Sequence, residues 1–142
     1  MTSHEQAIAN LIARYAFLVD DGDFAGLGQM FAQGELILNN GSPVAGAANV
    51  ERFAHEALQL HGDGTPATRH VISNVIIEID ADGTHAQAEA YYTVFQALSD
   101  FPLQPIACGR YKDRFTYQGG RWVYTQKIVR TLLMGDLSRH RR

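Results

Sequence analysis

The sequence predicts an α+β domain, in which three helices lie on one side of a cone-shaped, curved antiparallel (mixed) sheet and enclose a pocket. In the N-terminal part of the chain, apolar residues recur at the helical period of 3.6. From Thr68 onward the period changes to 2, and β-branched residues become frequent. The predicted strands exceed the usual length of about five to six residues, so the sheet has to twist and curl. Helices that cover its concave face leave a pocket at the mouth.

The helices are predicted from capping signals and apolar stripes. Ser3 followed by Gln6 is typical of a capping box at the start of the first helix. Its apolar stripe consists of Ile8, Leu11, Ile12, Tyr15, Leu18 and Val19. The acidic turn at residues 20–23 ends this helix and can cap a second one over residues 24–31. Residues 48–60 predict a third helix.

The strands follow in a meander separated by turns rich in Gly, Asp and Pro. A short strand is predicted at residues 35–38, and the long strands are predicted at residues 68–79, 85–98, 107–117 and 122–133. The chain shows no internal repeat or interdomain linker. We therefore expect a single domain over residues 1–136, followed by a basic, frayed tail over residues 137–142.

The composition argues against several classes of partner. The chain has 142 residues, a formal charge of −3 and 46% hydrophobic residues. Because the chain has no excess of basic residues, we do not expect it to bind nucleic acid. Because it has no long apolar run and no signal peptide, we expect a cytoplasmic protein that does not bind membranes. Cys108 is the only cysteine, which rules out an internal disulfide. With no HExxH spacing and no Gly-rich phosphate loop, we expect no metal and no cofactor.

Several segments resemble a known family. Residues 13–23 and 30–32 look like the opening of SnoaL-like proteins of the nuclear-transport-factor-2-like superfamily. Residues 68–74 look like the family's histidine strand, and residues 109–115 with residues 119–122 look like its closing hairpin. The segments occur in the right order over nearly the whole chain. The resemblance implies the cone-shaped fold, but the superfamily contains dehydratases, cyclases, isomerases, epoxide hydrolases and non-catalytic binders.

Individual residues extend this resemblance to a subset that performs eliminations. Asp20 and His70 match the aspartate–histidine pair of scytalone dehydratase, hexachlorocyclohexane dehydrochlorinase and bile-acid 7α-dehydratase. Tyr15 matches a catalytic tyrosine of bile-acid dehydratase, and Arg130 matches a pocket arginine in its last strand. The resemblance therefore implies Asp20, His70 and Tyr15 as catalytic residues and Arg130 as a substrate-binding residue.

Other positions depart from the enzymes that they resemble. Cys108 stands near the second histidine of scytalone dehydratase. Tyr15 also matches a tyrosine of ketosteroid isomerase, but that enzyme's aspartate base falls near Asn39 and its second acid near Tyr111, which disfavours isomerisation by that mechanism. We take Cys108, Asn39 and Tyr111, with Tyr91 of the long strands, as candidate substrate-binding residues.

The chemistry of elimination suits these side chains. Removing a proton from carbon needs a base with a pKa near neutral, and an imidazole qualifies when a carboxylate fixes its tautomer. In this interpretation His70 is the base, Asp20 its partner, and Tyr15 with Arg130 binds substrate oxygen. The structural alternatives are a strand histidine that bonds to a backbone carbonyl, an aspartate of a helix-end turn, a core tyrosine and an arginine paired with a carboxylate.

Together these observations predict a cofactor-independent lyase, a dehydratase or a cyclase, that acts on a hydrophobic cyclic metabolite such as a polyketide, steroid or aromatic compound. Two alternatives remain: a non-catalytic binding or dimerisation module, and an accessory protein like the β-subunit of an aromatic-ring dioxygenase. Exposed sheet faces in this fold are commonly covered by a second copy, so we expect a homodimer, with a trimer as the alternative.

Overall fold

Three helices cover one side of the sheet in the computed structural model, which describes residues 1–142. They are α1 (His4–Asp20), α2 (Phe24–Met30) and α3 (Ala47–Ala57). The predicted caps are present, since the Ser3 side chain accepts the backbone N–H of Gln6, and the Asp23 side chain accepts that of Gly26. Gly22, with a φ of 71°, makes the turn between α1 and α2 that the acidic cluster predicted. The sequence signals thus place both ends of α1 correctly.

Six strands form one open, mixed sheet. They are β1 (Glu35–Leu38), β2 (Val44–Ala45), β3 (Thr68–Ile79), β4 (His85–Leu98), β5 (Phe101–Gln118) and β6 (Arg121–Met134), in the spatial order β2-β1-β6-β5-β4-β3. All neighbours are antiparallel except β1 and β6, which run parallel. This is the predicted α+β architecture, with β2 as an additional short edge strand.

Strand β5 begins earlier than predicted. Pro102 and Pro105 indicate a turn, yet both lie within β5, where Pro105 is opposite Phe95 of β4. The β4–β5 register shifts on both sides of this position. Proline is tolerated in strands at such irregularities because its missing N–H is not needed for the ladder there.

The sheet is bent by bulges, and its concave face carries the core. Alternation along β4 buries every second side chain between Ala86 and Gln96. Register shifts interrupt the pairing of β3 with β4 and of β5 with β6. Because bulges bend a strand and increase its twist, they give the sheet the curvature that its long strands predicted. The core lies between this concave face and α1, α2 and α3.

The last six residues are ordered, contrary to the frayed tail predicted from their composition. Residues 137–142, which we term the C-terminal strap, run alongside the segment that follows α3. Leu58 forms a β-bridge with Arg141, and the Gln59 backbone N–H donates to the His140 carbonyl oxygen at 2.8 Å. Helix α3 ends at Ala57, before the predicted residue 60, because Leu58 takes the extended conformation that this pairing requires. These backbone hydrogen bonds explain why the basic segment is held in place.

None of the three helices has the length and apolar character needed to cross a bilayer.

Candidate functional site

The end of α1 and the start of β3 bring Asp20 and His70 together. Asp20 is the last residue of α1, and His70 is the third residue of β3. The Asp20 Oδ1 and His70 Nδ1 atoms are 2.6 Å apart, and both side chains are 8% exposed. Two residues that are 50 positions apart in the sequence thus form a buried, charge-assisted hydrogen bond.

Three hydrogen bonds hold the Asp20 carboxylate in one orientation. Besides the imidazole contact, Oδ2 accepts the backbone N–H of His70 at 2.7 Å, and Oδ1 accepts the Thr68 hydroxyl at 2.8 Å. Burial alone would raise the pKa of Asp20, but the hydrogen bonds and the charge of His70 outweigh it, so the pKa lies below its ordinary value. Because an ionised carboxylate only accepts hydrogen bonds, Nδ1 of His70 is the donor. In the neutral imidazole, Nε2 is then the basic nitrogen.

His70 lies in the wall of a cavity of about 430 Å³ between the helices and the concave face of the sheet. Most of the lining is apolar and comes from α1, α2, α3, β1, β4, β5 and β6. Polar side chains in the lining are Tyr15, Asn39, His70, Tyr92, Tyr111, Thr131, His140, Arg141 and Arg142. Small-molecule sites commonly combine an apolar cavity of this size with a few polar groups.

Three tyrosines form one wall of this cavity. The Tyr111 ring stacks on Tyr92 with a centroid distance of 4.6 Å and meets Tyr15 edge-on at 5.7 Å. The Tyr92 hydroxyl lies 2.9 Å from the Thr131 hydroxyl, whereas those of Tyr15 and Tyr111 bond to no other group of the chain. Burial raises the pKa of Tyr15 and of Tyr111 above the ordinary value, so both hydroxyls stay protonated and can donate to a ligand.

A buried ion pair supports the tyrosine wall from behind. Lys127 Nζ lies 3.2 Å from Asp113 Oδ2 and 3.4 Å from the Tyr111 ring centroid, and the Tyr124 hydroxyl donates to the same carboxylate. The Lys127 side chain is fully buried, and this burial lowers its pKa to about 8 despite the attraction of Asp113. No local sequence pattern indicates this pair, since its two residues lie on different strands.

Arg130 does not line the cavity, because a bulge in β6 reverses the alternation of its side chains. Trp122 and Tyr124 point inward, so strict alternation would also turn Arg130 inward. Opposite β5, however, β6 contains one extra residue, Thr125, and the inward positions after it are Lys127 and Val129. Arg130 is exposed, and its prediction as a pocket residue is corrected.

Two further predicted residues lie outside the cavity. Tyr91 follows the inward Ala90 of β4 and is 45% exposed, with the Arg110 guanidinium 5.4 Å from its ring centroid. Cys108 is half-buried, and its Sγ lies 3.7 Å from the hydroxyl of Thr93, another outward residue of β4. Both predictions are corrected, since neighbouring residues of a strand face opposite sides of the sheet.

Asn39 lies at the edge of the cavity and shapes the chain there. It follows β1 with a φ of 54°, and its side-chain oxygen accepts the backbone N–H of Thr131 at 2.9 Å. Asparagine tolerates this left-handed conformation better than most residues. Asn39 is therefore part of the lining, while the hydrogen bond commits its side-chain oxygen to β6.

The C-terminal strap supplies side chains that sequence reasoning missed. His140, Arg141 and Arg142 line the cavity. The strap follows a backbone path set by pairing with Leu58 and Gln59, and such pairing leaves no periodic signal in the sequence. No group of three or more His, Cys, Asp or Glu side chains is arranged to hold a metal ion.

A curved mixed sheet with three helices on its concave side and a pocket between them defines the nuclear-transport-factor-2-like, or cystatin-like, class of fold. The profile of the SnoaL-like domain matches residues 1–127, so the chain belongs to the SnoaL-like domain family. No curated protein sequence matches the chain.

Solved structures with the same fold are distant in sequence. A nuclear-transport-factor-2-like protein from Novosphingobium aromaticivorans is 18% identical, with a TM-score of 0.75 over 96% of this chain and 86% of that one. A proposed scytalone dehydratase from that organism is 20% identical, with a TM-score of 0.73 over 93% and 86% of the two chains. The β-subunit of a proposed aromatic-ring-hydroxylating dioxygenase, also from N. aromaticivorans, is 21% identical, with a TM-score of 0.69 over 91% and 89%. At these identities the likeness shows the fold alone.

Proposed function

We propose that the protein is a cofactor-independent lyase, either a dehydratase or a cyclase, that acts on a hydrophobic cyclic metabolite such as a polyketide, steroid or aromatic compound. The observation that carries the proposal is the 2.6 Å hydrogen bond between Asp20 and His70 in the wall of a largely apolar cavity. A base held by a carboxylate beside an apolar binding site is the arrangement that proton abstraction from carbon requires.

In the proposed reaction His70 Nε2 removes a proton from a carbon of the substrate. The Asp20 carboxylate keeps the proton of the neutral ring on Nδ1 and stabilises the imidazolium that forms. The hydroxyl of Tyr15 donates a hydrogen bond to an oxygen of the substrate, and the free hydroxyl of Tyr111 is a second donor beside it. In a dehydratase the imidazolium then protonates the departing hydroxide. In a cyclase the carbanion attacks a carbonyl carbon of the same substrate, the C=O electron pair moves to the oxygen, and that oxygen takes the proton from the imidazolium.

The first test is turnover of cyclic β-hydroxy ketones, followed through the ultraviolet absorbance of the conjugated enone product. His70→Ala is expected to lower kcat by a factor of about 10² to 10⁴, which is the usual contribution of a general base. Asp20→Asn should also lower kcat. His85→Ala is a matched control, because His85 also bonds to an aspartate, Asp82 at 3.0 Å, but both are more than half exposed at a surface turn. Undiminished turnover by folded His70→Ala protein contradicts the proposal.

The alternatives are a non-catalytic binding or dimerisation module and an accessory protein like a dioxygenase β-subunit. The fold likeness to such a β-subunit, together with exposed apolar side chains on the strands, favours an assembly role. Ligand binding without turnover would support the binding module. Co-purification with an iron–sulfur subunit would support the accessory role.

We further propose a homodimer formed through the sheet. Large apolar side chains on β3 and β6 are exposed, and they include Val71, Ile76, Leu132, Leu133 and Met134. A second copy that covers them would remove apolar surface from water. Light scattering is expected to give twice the chain mass of 15.7 kDa, whereas a trimer would give three times that mass. Leu133→Lys should lower the measured mass because it places a charge in the proposed interface.

A further inference from the structure

The C-terminal strap places a second imidazole in the cavity. His140 lines the cavity and is 9% exposed. Its Nδ1 atom is fully buried and has no hydrogen-bond partner. Buried polar atoms are normally paired, so each exception calls for an explanation. Because Nδ1 is enclosed and Nε2 bonds to no group of the chain, Nε2 is the atom left to meet a ligand.

The surroundings of His140 keep its ring neutral. Burial, followed by the positive charges of His70 and Arg141, lowers the pKa of His140 to about 4. Among the other groups that act on it, His61 from the loop after α3 also lowers the pKa, while Asp20 at the end of α1 raises it. At neutral pH the cavity therefore contains a neutral imidazole that can donate one hydrogen bond without releasing its proton.

The two histidines of the cavity differ in what stabilises a proton on them. His70 bonds directly to the ionised Asp20 carboxylate, so a proton that it accepts is balanced by that charge. His140 bonds to no carboxylate, and the positive charge of Arg141 disfavours a proton on its ring. Different environments of two titratable groups in one site assign them different tasks in acid–base chemistry. His70 is suited to be the base, and His140 to be a donor toward developing negative charge.

We propose that His140 binds the carbonyl oxygen of a cyclic ketone substrate and stabilises the enolate that forms when His70 removes the α-proton. This inference rests on the lyase function proposed above and adds to its site the side chain that binds the ketone oxygen. A neutral imidazole in a largely apolar cavity stabilises an enolate oxygen effectively, because it is already in place when the charge develops.

The electrons and protons of the step balance without a co-reactant. His70 Nε2 takes the α-proton, the C–H electron pair forms the C=C bond of the enolate, and the enolate oxygen accepts the Nε2–H of His140. Collapse of the enolate restores C=O, forms a C=C bond between the α- and β-carbons and expels the β-hydroxyl group. The departing oxygen takes the proton from His70, so the products are an enone and water.

The test uses two probes of matched shape. The ketone 2-tetralone reports proton abstraction, because its α-protons exchange for deuterium in D₂O and NMR measures the rate of this exchange. The phenol 2-naphthol mimics the enol form and reports binding by calorimetry. The variants are His140→Phe, which keeps a ring but has no donor, and His140→Gln, whose amide can replace Nε2–H. Ser138→Ala is the strap control, since Ser138 is exposed and does not line the cavity.

The wild-type protein is expected to accelerate exchange above the buffer rate. His140→Phe should slow the exchange about 10² to 10³-fold, as expected for loss of one hydrogen-bond donor to the enolate oxygen. The same variant should raise the Kd of 2-naphthol about tenfold. His140→Gln should recover part of the exchange rate and part of the affinity. His70→Ala should abolish exchange but keep most of the 2-naphthol affinity. Ser138→Ala should behave as wild type in both measurements.

Failure of this inference can be distinguished from failure of the proposed function. If His70→Ala abolishes exchange but His140→Phe exchanges and binds 2-naphthol as wild type does, the role of His140 is overturned while the lyase proposal stands. If the wild-type protein does not accelerate exchange, the lyase proposal fails for ketones, and the role of His140 in enolate stabilisation is overturned with it. Urea midpoints at pH 8 establish that each variant is folded before it is compared.

Discussion

The buried, neutral His140 predicts that the protein loses stability in mild acid. In the unfolded chain a histidine has its ordinary pKa of about 6.5, whereas in the folded protein burial and nearby positive charges lower the pKa of His140 to about 4. Between these two values the unfolded chain binds a proton that the folded chain does not. This part of the stability is therefore complete above pH 6.5 and is lost as the pH falls toward 4.

The size of the effect follows from the two pKa values. A pKa difference of roughly 2.5 corresponds to about 3 kcal/mol of unfolding free energy, at 1.36 kcal/mol for each pKa unit. Asp20 acts in a lower window, because its folded pKa lies below the unfolded value of 3.8, and its contribution is lost as the pH falls through the folded pKa. The two groups can therefore be separated by titration.

The measurement is urea denaturation at several pH values between 7.5 and 4.5, for the wild type and for His140→Phe. Unfolding is followed by the fluorescence of Trp122, the single tryptophan, which is 5% exposed in the folded protein. The wild type should lose about 2 to 3 kcal/mol more than the variant over this range, since all other titrating groups are common to both. Parallel pH profiles for the two proteins would refute the reasoning.

Two further predictions concern stability alone. At pH 7 Lys127→Met should lower the free energy of unfolding in urea by about 3 to 5 kcal/mol, because it leaves the buried Asp113 carboxylate without its positively charged partner. Adding Asp113→Leu should recover part of that loss, and a double variant that loses the sum of the two single losses would contradict the pairing. Gly109→Ala should lower the free energy of unfolding by more than about 4 kcal/mol, because the new Cβ would lie 1.8 Å from a carbonyl oxygen of β6. Gly62→Ala is the control, since a Cβ there meets nothing within 4 Å, and it should change the free energy of unfolding by less than about 0.5 kcal/mol.

The elements that the sequence predicts well are those with a local signal. Helix α1 has a capping serine, a regular apolar stripe and an acidic turn at its end, and all three are properties of neighbouring residues. The long strands likewise follow from alternation over many positions. The contact of Asp20 with His70 depends on how α1 crosses β3, which no local pattern specifies. The resemblance to known dehydratases indicates Asp20 and His70 as a pair, and the packing of α1 against β3 brings the two side chains within hydrogen-bonding distance.

The positions of Arg130 and His140 depend on pairing between distant segments, which neither segment shows on its own. The resemblance places Arg130 in the pocket, but the additional residue in β6 turns it outward and turns Lys127 inward. A bulge is a property of two strands together, so alternation along one strand cannot reveal it. The composition predicts a basic, frayed tail for the segment that contains His140. The pairing that holds it is made by backbone atoms, which every residue possesses.

The bulge at Thr125 makes the inner surface of the cavity sensitive to strand length as well as to residue identity. Beyond it, Lys127, Val129 and Thr131 point inward, and the residues between them point outward. Deleting one residue there would exchange the two sets and carry Arg130 from solvent into the cavity. A relative could thus acquire a cationic binding site through a single deletion, with every remaining side chain unchanged. Comparisons within the family therefore need to establish which residues of β6 face the cavity before they compare residue types.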